Sequence, residues 1–230
     1  MCVIIYCKKD GNRPTRKILN KCEKANPHGI GVAYRKQGSD MYSVAKGISM
    51  ETLVRIMDKY DGEIAIHFRY ATVGGQAKEL CHPFPTTPKA ETWLDYEANA
   101  ILFSNGTWEN WKDAYEVNRQ ILGLRKLDGK MSDTRALAKL VAKHGKAKFL
   151  NSIRDTHHKH DYIRCLVMKT FKPAVMTGKW YEKNDVYYSN LRWDSRTMIP
   201  KKYSRYWGKA SVSDILGQAT MLDEDDGSIF

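Results

Sequence analysis

In the stretch Ile64-Ala65-Ile66-His67-Phe68-Arg69-Tyr70-Ala71-Thr72 the chain passes from strand chemistry to residues that can bind and position a ligand. Ile64, Ile66 and Phe68 alternate with Ala65, His67 and Arg69, which predicts a strand over residues 63–70. Residues 73–92, rich in Gly, Pro and Thr, then read as one long loop. Loops of that length in compact domains are commonly functional.

Working outward, Val3-Ile4-Ile5-Tyr6 is a short β-branched run that predicts a buried strand. A helix is expected over 14–25, stopped at Asn26-Pro27 because the residue before proline avoids helical backbone. Gly31 to Arg35 and Met41 to Ala45 flank Gln37-Gly38-Ser39-Asp40 as a hairpin. Ser49 can cap a helix over 50–60, where Leu53, Ile56, Met57 and Tyr60 recur at helical spacing. Ala98 to Ser104 reads as a strand ended by the turn pair Asn105-Gly106. Helices are expected over 108–122, 133–143 and 145–155, with Ser132 capping the middle one. Strand character resumes at Ile163 to Met168, at Ala174 to Met176 and around Tyr187 and Tyr188. Strands, then helices, then strands imply an α+β layered fold rather than a regular βαβ winding.

Composition bounds the function. At 42% apolar residues the chain can bury a core, so wholesale disorder is excluded. No apolar run approaches the roughly 18 residues of a membrane span, and the start MCVIIYCKKDGNR turns charged too soon for a signal peptide. A cytosolic protein with no membrane partner is expected. The formal charge of +12 favours acidic partners, nucleic acid among them, although a solvated basic surface accounts for it more simply. The aromatic and basic stretch from Tyr187 to Trp207 admits base stacking, but aromatics in late strands more often fill core. His157-His158-Lys159-His160-Asp161 lacks a recognised ligand spacing and reads as a solvated loop, so no metal and no cofactor is expected.

The cysteines Cys2, Cys7, Cys22, Cys81 and Cys165 form no CxxC pair, which argues against a disulfide framework or a structural zinc site. Cys22, Cys81 and Cys165 read as small buried hydrophobes. Cys2 differs by position. A small residue there permits removal of Met1, which would leave Cys2 with a free α-amine. That amine titrates near 7.7–8.0, so nucleophile and base can belong to one residue.

Beyond Cys2, further elements follow in order. Asn26-Pro27-His28-Gly29-Ile30-Gly31 precedes His67-Phe68-Arg69-Tyr70-Ala71-Thr72 with Gly74-Gly75; then come Cys81-His82-Pro83-Phe84, Ser104-Asn105-Gly106-Thr107 with Glu109-Asn110, and Ser132-Asp133-Thr134. Over residues 1–140 this series resembles the HxRxAT, HPF, HNGxxEN and SDTE elements of class II glutamine amidotransferases. The resemblance implies a four-layer αββα sandwich of two antiparallel sheets flanked by helices, the N-terminal nucleophile hydrolase fold. Residues 1–200 would form that domain and 201–230 a C-terminal extension with an acidic end. Compact stand-alone members of this kind also occur in bacteriophage genomes.

The same resemblance implies roles. Cys2 would attack the glutamine side-chain amide and form a thioester. The Asn105 amide and the Gly106 N–H would make the oxyanion hole. Arg69 would hold the substrate α-carboxylate and Asp133 its α-ammonium, with Thr72 and His82 lining the substrate site. Taken singly, Arg69 also fits a layer-bridging salt bridge, Asp133 a favourable acid in a first helical turn, Asn105-Gly106 an ordinary turn, and His82 a structural hydrogen bond. Departures from the family pattern are Val3 after the nucleophile, where glycine is usual, Ser104 in place of histidine and Arg135 in place of glutamate. Glutamine would be the substrate, and a separate synthetase or transferase would take the ammonia, since no second catalytic domain fits in the remainder. The rivals are an amidohydrolase acting on another γ-glutamyl compound and an inactive binding protein on the same fold.

Overall fold

Val3–Cys7 forms strand β1 with neither face open to water. Val3, Ile5 and Cys7 enter one apolar core, and Ile4 and Tyr6 enter another. A strand covered on both sides reads as a continuous apolar run, which is how this segment appears in the sequence. The computed structural model describes residues 2–144 and 163–194. The chain divides into two units, Met1–Trp193 and Asp194–Phe230, and every element below lies in the first. The expected helix over 145–155, the His157–Asp161 cluster and the residues from 195 onward lie outside the described residues.

β1 sits inside a seven-stranded sheet, between β11 (Val186–Tyr188) and β4 (Ile64–Phe68). Beyond β11 comes β10 (Tyr181–Lys183). Beyond β4 come β2 (Ile30–Arg35), β3 (Tyr42–Ile48) and β6 (Asp95–Ala98). The second sheet runs β5 (Phe84–Pro85), β7 (Ala100–Asn105), β8 (Arg164–Lys169) and β9 (Lys172–Thr177). The paired strands are antiparallel throughout both sheets.

Three apolar layers join four structural ones. Helices α1 (Arg16–Ala25) and α2 (Met50–Lys59) bury Leu19, Cys22, Met50 and Leu53 against the outer face of the first sheet. Ile4, Ala33, Val44 and Ala65 meet Ile101, Phe103, Leu166 and Met168 between the sheets. Helices α3 (Trp111–Ile121) and α4 (Asp133–His144) pack Tyr115, Leu137, Leu140 and Val141 on Leu102, Cys165 and Val167. Each fully buried aliphatic side chain contributes about 1.5–3 kcal/mol, so the three layers supply the main driving force. The result is an α+β αββα sandwich. Thr15, Ser49 and Ser132 accept first-turn N–H bonds, so the two predicted caps, Ser49 and Ser132, are present.

Three local differences from the expected elements have plain causes. The loop over 73–92 holds a 3-10 turn, Lys78–Leu80, and the two-residue β5. β6 and β10 are too short for alternation to register in the sequence. The helix expected from 108 starts at Trp111, because Asn110 takes a left-handed backbone (φ 53°) that cannot continue a helix. The glycine-rich approach to β2 also has a packing reason: a Cβ on Gly31 would stand 1.8 Å from the His82 carbonyl oxygen.

Candidate active site

Register in the first sheet brings Cys2 and Tyr70 together. Val3 pairs with Phe68, so the residues just beyond each strand end meet. The Tyr70 N–H donates to Cys2 Sγ at 3.2 Å, and the thiol in turn reaches the Tyr70 carbonyl at 3.4 Å. Asn190, just past β11, donates from Nδ2 to the Cys2 carbonyl at 2.7 Å. The turn carrying Tyr70 is itself tied down. His28 N–H donates to the Arg69 carbonyl at 2.9 Å, Arg69 N–H to the Gly29 carbonyl at 2.9 Å, and Ala71 N–H to His28 Nδ1 at 2.9 Å.

Burial pushes the Cys2 thiol pKa up; the Tyr70 N–H and the Arg69 charge pull it back, and the Asp133 carboxylate raises it. With its pKa raised, the thiol stays protonated near neutral pH, so attack through sulfur requires a base.

Arg69 is only 4% exposed. Its guanidinium donates to the Val73 carbonyl at 3.1 Å and the Ala77 carbonyl at 3.3 Å. Among the described residues it forms no ion pair, so the layer-bridging salt bridge is not what holds it. Asp133 opens α4 and is buried. Trp108 N–H donates to its Oδ2 at 3.0 Å and Thr134 N–H to its Oδ1 at 2.8 Å. Burial raises the Asp133 pKa, and these N–H groups oppose the rise by stabilising the carboxylate.

Asn105 ends β7 and is fully buried. Its amide contacts Ser189 Oγ at 2.8 Å through Nδ2, and its Oδ1 has no partner among the described residues. Ser189 Oγ also accepts the Ile4 N–H at 2.8 Å, and Ser189 N–H donates to the Ile4 carbonyl at 2.9 Å. Gly106 follows with φ +126°, a backbone that L side chains rarely adopt. Thr72, exposed, reaches Thr107 by a hydroxyl pair at 3.5 Å, joining the segments that follow β4 and β7.

His82 is buried and within reach of the Arg69 charge, which lowers its pKa. It stacks on His67 with ring centroids 4.0 Å apart, and its Nδ1 accepts the Ser104 N–H at 3.4 Å. Burial holds both imidazoles neutral, His67 down to about 3 and His82 well below the usual range. No hydrogen bond among the described residues joins His82 to Cys2, Arg69 or Asp133.

Two departures noted in the sequence have structural causes. Val3 is a fully buried strand residue, a setting that favours a β-branched side chain. The Ser104 hydroxyl accepts from the Cys165 thiol at 3.7 Å in the interior.

Ser189 and Asn190 escaped the sequence reading, as did the Tyr70 N–H. A backbone donor leaves no compositional trace, and the two polar residues follow an aromatic pair whose neighbours in the sheet are far off in the chain. Two aromatics of the stretch from Tyr187 to Trp207 are core: Tyr188 and Trp193 are buried, with rings 5.2 Å apart, whereas Tyr187 is half-buried and Tyr203, Tyr206 and Trp207 lie outside the described residues. Cys22, Cys81 and Cys165 are buried as expected. Among the described residues no group of His, Cys, Asp and Glu side chains is arranged to hold a metal ion, and no helix is long and apolar enough to cross a membrane.

No family model and no curated protein matches this chain. Solved structures do. The structure of the allosteric regulatory enzyme of purine biosynthesis matches with a TM-score of 0.51 at 19% identity, over 82% of this chain and 41% of that one. Glutamine phosphoribosylpyrophosphate (PRPP) amidotransferase from B. subtilis complexed with ADP and GMP matches with a TM-score of 0.50 at 18% identity, again over 82% and 41%. The chain therefore spans about two fifths of the length of these neighbours and shares with them the N-terminal nucleophile hydrolase fold.

Proposed function

We propose that this chain is a glutaminase of the class II glutamine amidotransferase type, with Cys2 as its nucleophile once Met1 has been removed. The observation that carries the reading is the convergence at one end of β1, β4 and β7. A partly exposed thiol sits on a backbone N–H there, with Arg69, Asn105-Gly106 and Asp133 on the neighbouring elements. The likeness in fold to a glutamine PRPP amidotransferase supports it.

The α-amine of Cys2 takes the thiol proton as sulfur attacks the amide carbon of the glutamine side chain. Negative charge then develops on the amide oxygen. The Gly106 N–H and the Asn105 amide stabilise it, and a preorganised donor of this kind is worth about 10²–10³ in rate. The Asn105 contact with Ser189 is satisfied by either orientation of the amide. With Oδ1 taking the Ser189 hydroxyl proton, Nδ2 is left to donate to the oxyanion. The C–N bond breaks, the amine proton passes to the leaving nitrogen as ammonia, and a thioester remains. Water, deprotonated by the same amine, attacks the thioester, breaks the C–S bond and releases glutamate. Arg69 pairs with the α-carboxylate and Asp133 with the α-ammonium, so the site selects a free amino-acid head. Thr72 lines the rim of the substrate site and His82 its buried side. Residues 1–200 form the catalytic domain in this reading, 201–230 an extension, and a separate synthetase or transferase consumes the ammonia.

The test is ammonia and glutamate release from glutamine by protein whose intact mass shows loss of Met1. Cys2→Ala is expected to abolish it, by about 10⁴-fold or more. An electrophilic glutamine analogue should add its mass to Cys2 alone. Correctly processed protein that neither turns over glutamine nor takes up the label would sink the proposal.

A further inference from the structure

A second concave site lies away from Cys2, between the loop at 88–93 and the turn at 123–128, over helix α4. It encloses about 530 Å³, within the roughly 300–1,000 Å³ typical of small-molecule sites. Lys89, Arg125 and Lys126 are exposed on its walls, and Trp93 presents a 59% exposed indole held edge-on by Tyr96, with centroids 6.2 Å apart. An indole this exposed next to cations is a ready stacking surface for a planar ring.

The floor is the informative part. Arg135 and Lys139 stand four residues apart on one face of α4, at 5% and 3% exposure. The Arg135 guanidinium donates to the carbonyls of Ala90 (2.9 Å), Asp128 (2.6 Å) and Lys130 (2.7 Å), and the Lys139 ammonium donates to the Arg125 carbonyl. Among the described residues neither forms an ion pair. Glu91 and Asp128 line the cleft too, without an ion pair to either cation among the described residues, so five cations (Lys89, Arg125, Lys126, Arg135 and Lys139) face two carboxylates among the lining residues.

Like charges at this helical spacing repel, and buried charge without a counter-charge is costly. Burial lowers the pKa of both groups, the neighbouring Arg119 and Arg135 charges lower that of Lys139 further, and the Asp128 carboxylate, with Glu91 at Arg135, opposes the fall only in part. The carbonyl bonds explain why the two side chains are ordered. They do not balance the excess of positive charge in the cleft, and the ammonium still has N–H donors to give.

We propose that this cleft binds a nucleoside polyphosphate, its phosphates against Lys139, Lys126 and Arg125 above the Arg135 guanidinium and its base on the Trp93 indole. Phosphate suits a cluster in which lysine and arginine outnumber the carboxylates, and a planar base suits the adjacent indole. None of these residues belongs to the group around Cys2, so the cleft and the glutaminase stand or fall separately.

The experiment is isothermal titration calorimetry on the full chain with ATP and GTP, beside adenosine, inorganic tripolyphosphate and a short oligothymidylate strand. Saturable binding of at least one triphosphate is expected, with adenosine and tripolyphosphate each weaker by about tenfold or more. Trp93→Ala and the double variant Arg125→Ala/Lys126→Ala change exposed positions, so they should fold normally, and each should weaken binding by about tenfold or more. Oligothymidylate binding tighter than the triphosphates, and weakened by the same variants, would support the same chemistry and assign its source to a single strand. Absence of triphosphate binding, affinity unchanged in both variants, or tripolyphosphate matching the triphosphates (an anion site only) would overturn the proposal.

Discussion

Arg69 and Arg135 are held alike and surrounded differently. Each is nearly sealed from solvent, and each gives its guanidinium to loop carbonyls rather than to a carboxylate. Arg69 shares the neighbourhood of the Cys2 thiol with the Asp133 carboxylate, and the two charges act on that thiol in opposite senses. Around Arg135 stand a second cation, Lys139, and the exposed Trp93 indole. Carbonyl bonds fix where a buried arginine points, and its charged neighbours decide what it can bind. A site with both signs in balance suits a zwitterionic amino acid, and a site in which cations outnumber carboxylates suits an anion.

The strongest way to break this contrast is Asn105→Ala. Under the glutaminase reading it should lower kcat for ammonia release by about 10²–10³ while calorimetry shows triphosphate binding at the cleft intact. Loss of both together would point to general unfolding. Next is Arg69→Lys, which keeps the charge and loses the planar fork. Glutamine KM should rise by about 10- to 100-fold, the worth of one charged hydrogen bond, with kcat affected less. Arg135→Lys should leave that KM in place; if the two variants behave alike in steady-state kinetics, the contrast fails. Ser189→Ala should lower kcat by about tenfold through a mispositioned Asn105 amide, and cost about 1–3 kcal/mol in urea unfolding because the Ile4 N–H loses its acceptor.

The smallest effect concerns the loop that holds Arg69. Lys46 is buried, donates to the Glu79 carbonyl at 2.9 Å and lies over the Phe84 and Tyr96 rings, so it fastens the segment next to Ala77. Burial pushes its pKa down to about 8 from 10.5. Between those values the unfolded chain binds more protons than the folded one, so stability contributed at this position rises with pH across the window. The melting-temperature difference between the wild type and Lys46→Met should therefore shift in favour of the wild type from pH 8 to 10.5. A flat difference would show that the ammonium is not desolvated.

Much of the fold was legible because its signals are local. Val3 to Tyr6 reads as a β-branched run and Ile64 to Phe68 as an alternation, both forming strands, and Ser49 and Ser132 sit where a side-chain oxygen caps a helix. β6 and β10 were not legible, since three or four residues carry too little pattern. Within the candidate site, Cys2, Arg69, Asn105, Gly106 and Asp133 stood out by motif and order. His82 did too, although its ring stacks on His67.

Local residue chemistry by itself determined the alternation that makes the strands, the caps that start the helices and the order of the polar elements from Cys2 to Asp133. The tertiary structure alone decided which of them meet. Ser189 and Asn190 reach Ile4 and Cys2 across 185 and 188 positions of chain, and Arg135 and Lys139 share a buried face with no ion pair among the described residues. Periodicity and capping act over a few residues, whereas strand register and burial link residues far apart in the chain, which no local pattern records.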